Sequence, residues 1–130
     1  MLLSIPTESN MTEKQEKLID LTFLRQFCKD DRDKMANYIH MFLESAPEQV
    51  EAMKIDANAG NWNAVRSAAH SLKPQLTFIG ASFIQPLIER IEASAVSDKA
   101  SIDTPFLLRK LEELLDRSFT ELIQSLVSLS

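Results

Sequence analysis

Apolar residues recur along this chain at spacings of three and four, the signature of helices that bury one face. The clearest stripe is Trp62, Val65, Ala69, Leu72, Leu76 and Ile79. Gly60 and Gly80 bracket it, each where a left-handed helix end is expected, and Asn61 is placed to cap its start. Before it, Asp20 is expected to cap a short leading helix that turns Leu21, Leu24, Phe27 and Cys28 inward. A second helix is expected from about Arg32 to Glu44, with Met35, Ile39, Phe42 and Leu43 as its stripe. Ser45-Ala46-Pro47 should break or kink it, and Val50, Met53 and Ile55 carry the segment on towards Gly60. After Gly80, Phe83, Leu87 and Ile91 predict a helix over Ser82 to Ala95, with Pro86 in its first turn. Ser94 to Ser101 reads as a polar loop. Asp103-Thr104-Pro105 should open a last helix of ~25 residues, ~38 Å long at the helical rise, with Leu108, Leu111, Leu115, Leu122, Leu126 and Leu129 as core rather than zipper. The expected fold is all-α: an up-down four-helix bundle with a short leading helix. Residues 1–16 lack apolar period and read as a flexible tail, and 17–130 as the helical domain.

Composition supports this picture. The 130 residues are 45% hydrophobic, enough for one core, while two glycines and five prolines are too few for many β-turns. A net charge of -5 argues against nucleic acid and anionic membrane as partners. The single cysteine, Cys28, forms no internal disulfide and fits a reducing compartment. No apolar run approaches the ~20 residues of a membrane span, and the short Met1-Leu2-Leu3-Ser4-Ile5 stretch lacks a basic start. The expectation is a cytoplasmic, monomeric protein without membrane insertion. Its initial Met and leading tail lean towards a free-standing chain rather than the end of a longer one.

The candidate chemistry lies in Ala69-His70-Ser71-Leu72-Lys73. At ~100° per residue, His70 sits about 130° from the middle of the apolar stripe and so faces outward. A neutral imidazole is a good nucleophile near neutral pH, and an exposed one can both receive and hand on a phosphoryl group. Lys73, three residues on, and Arg66, four residues back, offer positive charge to a phosphoryl group beside the ring. Asn63, Ser67, Pro74 and Thr77 share the His70 side, with Arg66 and Lys73 on the flank nearer the core. Pro74 removes the N–H that would pair the His70 carbonyl. Two readings of it stand together: a notch that admits another protein's backbone, and a kink that turns Phe78 to the core. His40 reads as an ordinary surface or boundary residue. The two histidines lie outside any Glu-x-x-His pair, and no Ser-His-Asp or Cys-His arrangement is defensible, which disfavours a di-metal bundle or a hydrolase.

Ala69-His70-Ser71-Leu72-Lys73, then Gly80 ten residues after the histidine and Leu87 seven beyond that, resembles the histidine-containing phosphotransfer (HPt) domain of multistep phosphorelays. Gly60-Asn61-Trp62 and Phe42-Leu43-Glu44-Ser45-Ala46-Pro47 resemble the same family, and the likeness runs from about Ile19 to Leu126. The resemblance implies that His70 accepts a phosphoryl group from a receiver-domain aspartate and passes it to another, with Lys73 helping to hold it. It implies response-regulator receivers and a hybrid sensor histidine kinase as partners, no kinase activity in this chain, and no cofactor of its own, the Mg2+ belonging to the receiver. The family often has glycine where this chain has Pro74. It also often sets a hydrogen-bonding side chain of the next helix against the histidine. Glu92 matches that position by ungapped count, with Gln85 and Glu89 as rivals. The competing reading is a helical adaptor or dimerisation module on which His70 is a solvated surface residue.

Overall fold

The computed structural model describes residues 17–129, so the tail expected over 1–16 and the final residue lie outside the described residues. Five α-helices follow in order: α1 Thr22–Phe27, α2 Arg32–Asn58, α3 Trp62–Ile79, α4 Gln85–Ala95 and α5 Ala100–Leu129, with a 3-10 turn over Ser82–Ile84 leading into α4. Helices α2 to α5 close a ring in which each packs on the next and α5 returns to α2. Short connections make neighbours antiparallel. This is the expected all-α, up-down bundle, with α1 laid against α3 at one end.

The stripes fill the ring. Val65, Ala69, Leu72, Leu76 and Ile79 of α3 are buried, as are Met35, Ile39, Phe42, Val50 and Met53 of α2 and Leu108, Leu111, Leu115 and Leu122 of α5. Leu126 and Leu129 are only partly covered, because they pass beyond the last full layer. Ile84 and Ile88 join Leu87 and Ile91 in the core, while Phe83 is half-buried.

Several expectations are corrected. The break at Ser45-Ala46-Pro47 does not occur: α2 runs unbroken through Pro47. A proline ring keeps a helical φ and removes one hydrogen bond, a cost of about 3 kcal/mol. Burying Ala46, Val50 and Met53 on the same stripe outweighs that, at roughly 1.5–3 kcal/mol for each large side chain. Pro47→Ala is therefore expected to stabilise the fold by about 1–2 kcal/mol, part of the gain being returned by the freer unfolded chain. A raised urea midpoint checks this. Pro105 likewise lies inside its helix rather than opening it, since α5 starts at Ala100. That earlier start buries Ala100 and Thr104, and the Thr104 hydroxyl meets the Ser94 hydroxyl of α4 at 2.7 Å. The polar loop thus shrinks to residues 96–99. Ile55 and Phe27 face outward, at 59% and 55% exposure. Ile55 falls on the far side of the turn from Met53, and Ala57 continues the stripe instead. Phe27 sits at the bundle edge, its ring edge-on to Tyr38 and Phe78. Asn61 precedes α3 without a side-chain capping bond.

Both glycines end helices as expected. Gly60 and Gly80 have φ of +73° and +90°. After each, the next N–H reaches back five residues: Asn61 to the Asp56 carbonyl at 2.8 Å and Ala81 to the Leu76 carbonyl at 2.7 Å. Those bonds satisfy carbonyls that the helix end leaves open. The Gly80 carbonyl also accepts from the Asp20 N–H at 2.9 Å. The Glu121 carboxylate on α5 accepts from the N–H groups of Leu18 and Ile19, each at 2.9 Å. These bonds lash the leading segment to the ring. Across the ring, Lys54 of α2 donates to Glu112 of α5 at 2.9 Å, and that hydrogen bond keeps the Lys54 ammonium charged above its ordinary range.

Candidate functional site

Helix α3 supplies the histidine because its period buries Ala69 and turns the next residue out. His70 lies on the solvent face with its side chain 75% exposed. Helix α4 packs antiparallel to α3, so residues descending α4 meet residues ascending α3. Glu92 meets His70, Glu89 meets Lys73, and Gln85 meets Thr77. Spacings of three then four on one helix match four then three on the other, giving a three-rung ladder between the helices.

The first rung is the tightest polar contact on His70. Glu92 Oε2 lies 2.8 Å from His70 Nδ1, and the Glu92 side chain is only 18% exposed. A carboxylate accepts and does not donate, so this bond puts the ring proton on Nδ1. The lone pair is then on Nε2, the nitrogen left free of Glu92. Among the three α4 side chains considered from the sequence, Glu92 is the one against the histidine, and Glu89 and Gln85 serve the other rungs.

On the second rung, the Lys73 ammonium stands 3.4 Å from Glu89 Oε2 and 3.7 Å from Glu92 Oε1. Lys73 is one-quarter exposed, on the flank nearer the core as expected. Arg66 is exposed instead and makes no ion pair among the described residues. With Ser67, Ser71 and Glu92 it borders a shallow hollow beside His70. On the third rung, Thr77 is engaged by the Gln85 amide and donates to the Lys73 carbonyl at 3.4 Å, so its hydroxyl is a brace between helices.

Pro74 lies on the opposite flank. It lines an apolar groove with Tyr38, Met41 and Phe42 of α2 and with Phe78. Phe78 is half-buried against the rings of Tyr38, Phe23 and Phe27. Thus α3 divides its partners: charge and hydrogen bonds towards α4, apolar surface towards α2. Met41 of this groove is 60% exposed and lies outside the buried stripe of α2.

A family model described as the Hpt domain matches residues 37–121. The chain belongs to the Hpt domain family. The matched span takes in α3, α4 and most of α2 and α5, and so contains the whole ladder. Hpt domains are histidine phosphotransfer modules of phosphorelays rather than kinases, and they interact there with receiver domains and kinases. No curated protein and no solved structure gives a significant match. Within this Hpt domain, no helix among the described residues is long and apolar enough to cross a membrane. No three of its described His, Cys, Asp and Glu side chains gather as a metal site.

Proposed function

We propose that His70 is the phosphoacceptor of a phosphorelay intermediate, loaded by one receiver-domain aspartyl phosphate and discharged to the aspartate of another. The observation that carries this reading is the 2.8 Å contact of Glu92 with Nδ1 on an exposed imidazole. In loading, the Nε2 lone pair attacks phosphorus. The Nε2–P bond forms, the P–O bond to the receiver carboxylate breaks, and the carboxylate leaves with the electron pair. The ring gains positive charge, which the Glu92 carboxylate offsets through the Nδ1 proton. Discharge is the reverse: a carboxylate oxygen attacks, the N–P bond breaks, and its electron pair returns to Nε2. The chain's own residues supply position and charge compensation, with Lys73 and Arg66 as the cations flanking the ring. The magnesium ion that assists transfer belongs to the receiver. Chain activity of this kind involves no ATP-dependent kinase step.

The docking face combines His70, Ser67 and Lys73 with the Pro74 groove, whose apolar walls can bury a partner's side chains while the ladder holds His70 in place. Proline at that position presents no long side chain over the groove, so close approach is retained.

Incubation with a phosphorylated receiver domain and magnesium tests the reading. Label should move to the chain in acid-labile form and be chased onto a second receiver. Label that stays on the first receiver overturns it. Glu92→Ala is expected to slow uptake from phosphoramidate about tenfold with helix content unchanged, since a hydrogen bond to a charged group is worth about 1.5–3 kcal/mol. The initial rate of adduct formation by intact mass measures this.

A further inference from the structure

The Lys73 ammonium is already claimed in the resting protein. Glu89 lies 3.4 Å from it on one side and Glu92 3.7 Å on the other. Glu92 is committed to His70 as well, but Glu89 has no other hydrogen-bond or ion-pair partner among the described residues. Its side chain is 62% exposed, so its burial adds little to the core. Two carboxylates thus share the one ammonium of Lys73, and the other cation beside the ring is Arg66, which borders the hollow with His70 and Glu92. A phosphoryl group brings a charge of roughly -1.5 to -2. It therefore meets a Lys73 ammonium already held by a competing carboxylate.

We propose that Glu89 is a tuning residue that competes with the phosphoryl group on His70 for the Lys73 ammonium. It acts through Lys73 and does not touch the reacting atoms, so it sets how firmly the phosphorylated state is held rather than whether transfer occurs. This rests on the reading of His70 as phosphoacceptor. Glutamine at the same position keeps the shape and the exposed helical setting, removes the charge, and leaves Lys73 with only the longer 3.7 Å Glu92 contact to give up when it turns to the phosphoryl oxygens.

The test loads the full chain from phosphoramidate. In that step Nε2–P forms, P–N of phosphoramidate breaks, and ammonia leaves. The phosphoryl oxygens are then titrated by 31P NMR at low salt. The groups facing them are Lys73, Glu92, Arg66 and Glu89 itself. In Glu89→Gln the phosphoryl oxygens should bind a proton about three- to tenfold more weakly than in wild type, the scale of one nearby charge at a solvent-exposed site. The difference should shrink in high salt, which a purely structural role would not produce. In a Lys73→Gln background the same Glu89→Gln change should have less than half its effect, because only direct repulsion is left. Equal titration of wild type and Glu89→Gln, or an equal shift in both backgrounds, overturns the competition. Absence of any adduct on wild type overturns the His70 assignment itself, an outcome separable from the other two.

Discussion

Phosphoramidate should load wild-type protein with one acid-labile phosphoryl group and leave His70→Gln unmodified. The loss is expected to be complete, because among the described residues no other side chain couples a nucleophilic nitrogen to this setting. His40 is exposed on α2, yet no hydrogen bond or ion pair orients its ring among the described residues. Cys28 is buried, and burial raises its thiol pKa, so little of it is the reactive thiolate. At His70 three features meet: exposure of the ring, a carboxylate that fixes the proton on Nδ1, and two cations of the same helix, Arg66 four residues before it and Lys73 three after. Glutamine retains the helix and much of the side-chain size while removing the nucleophile. Intact mass and helix content are the paired measurements. An adduct that persists on folded His70→Gln would assign the chemistry elsewhere and favour an adaptor role for this Hpt domain.

Gly80→Ala should cost about 3 kcal/mol of stability, read as a lowered urea midpoint. Two independent penalties add. A non-glycine residue in the left-handed region costs roughly 1–2 kcal/mol. A Cβ at Gly80 would also stand 2.1 Å from the Asp20 carbonyl oxygen, a backbone atom that cannot swing aside as a side chain can. The leading segment would have to move, and with it the 2.9 Å Asp20–Gly80 hydrogen bond, worth roughly 1 kcal/mol. Gly60→Ala makes the control. Gly60 has a similar φ of +73°, but an added Cβ there meets nothing within 4 Å, so only the conformational cost applies. Comparable losses at the two positions would show that the contact with the leading segment carries no energy. The larger loss expected at Gly80 should come with weakened protection of the Leu18 and Ile19 amides, since their hold on Glu121 depends on the same placement.

Much of the site was legible because it is local. The α3 stripe told which way His70 faces, and the glycines told where α3 begins and ends, since both follow from helical period and the φ that glycine tolerates. Glu92 was reachable by counting along the chain, but its rivals Gln85 and Glu89 could be separated from it only by the packing. A one-residue shift in the 3-10 turn at Ser82–Ile84 would rotate α4 by about 100° and exchange the rungs. The pairing of Glu89 with Lys73 had no signal of its own, because a glutamate on an exposed helix face is an ordinary residue. Glu121 was missed for a related reason: it grips Leu18 and Ile19 from the other end of the chain.

The prolines show the same division from the other side. Pro47 carries a strong local signal for a break and Pro105 one for a helix start, and both were overruled by stripes that stay buried on either side of them. By itself the sequence determined the all-α class, the order of the helices, the outward turn of His70 and the stop at Gly80. Each depends on neighbours within about two helical turns. Only the tertiary structure decided which carboxylate holds the imidazole, which one holds Lys73, and that the groove beside Pro74 is walled by α2. Those contacts join residues on different helices, and their pairing is set by how the α3 and α4 stripes bury each other, a property of the packed ring that no single helix contains.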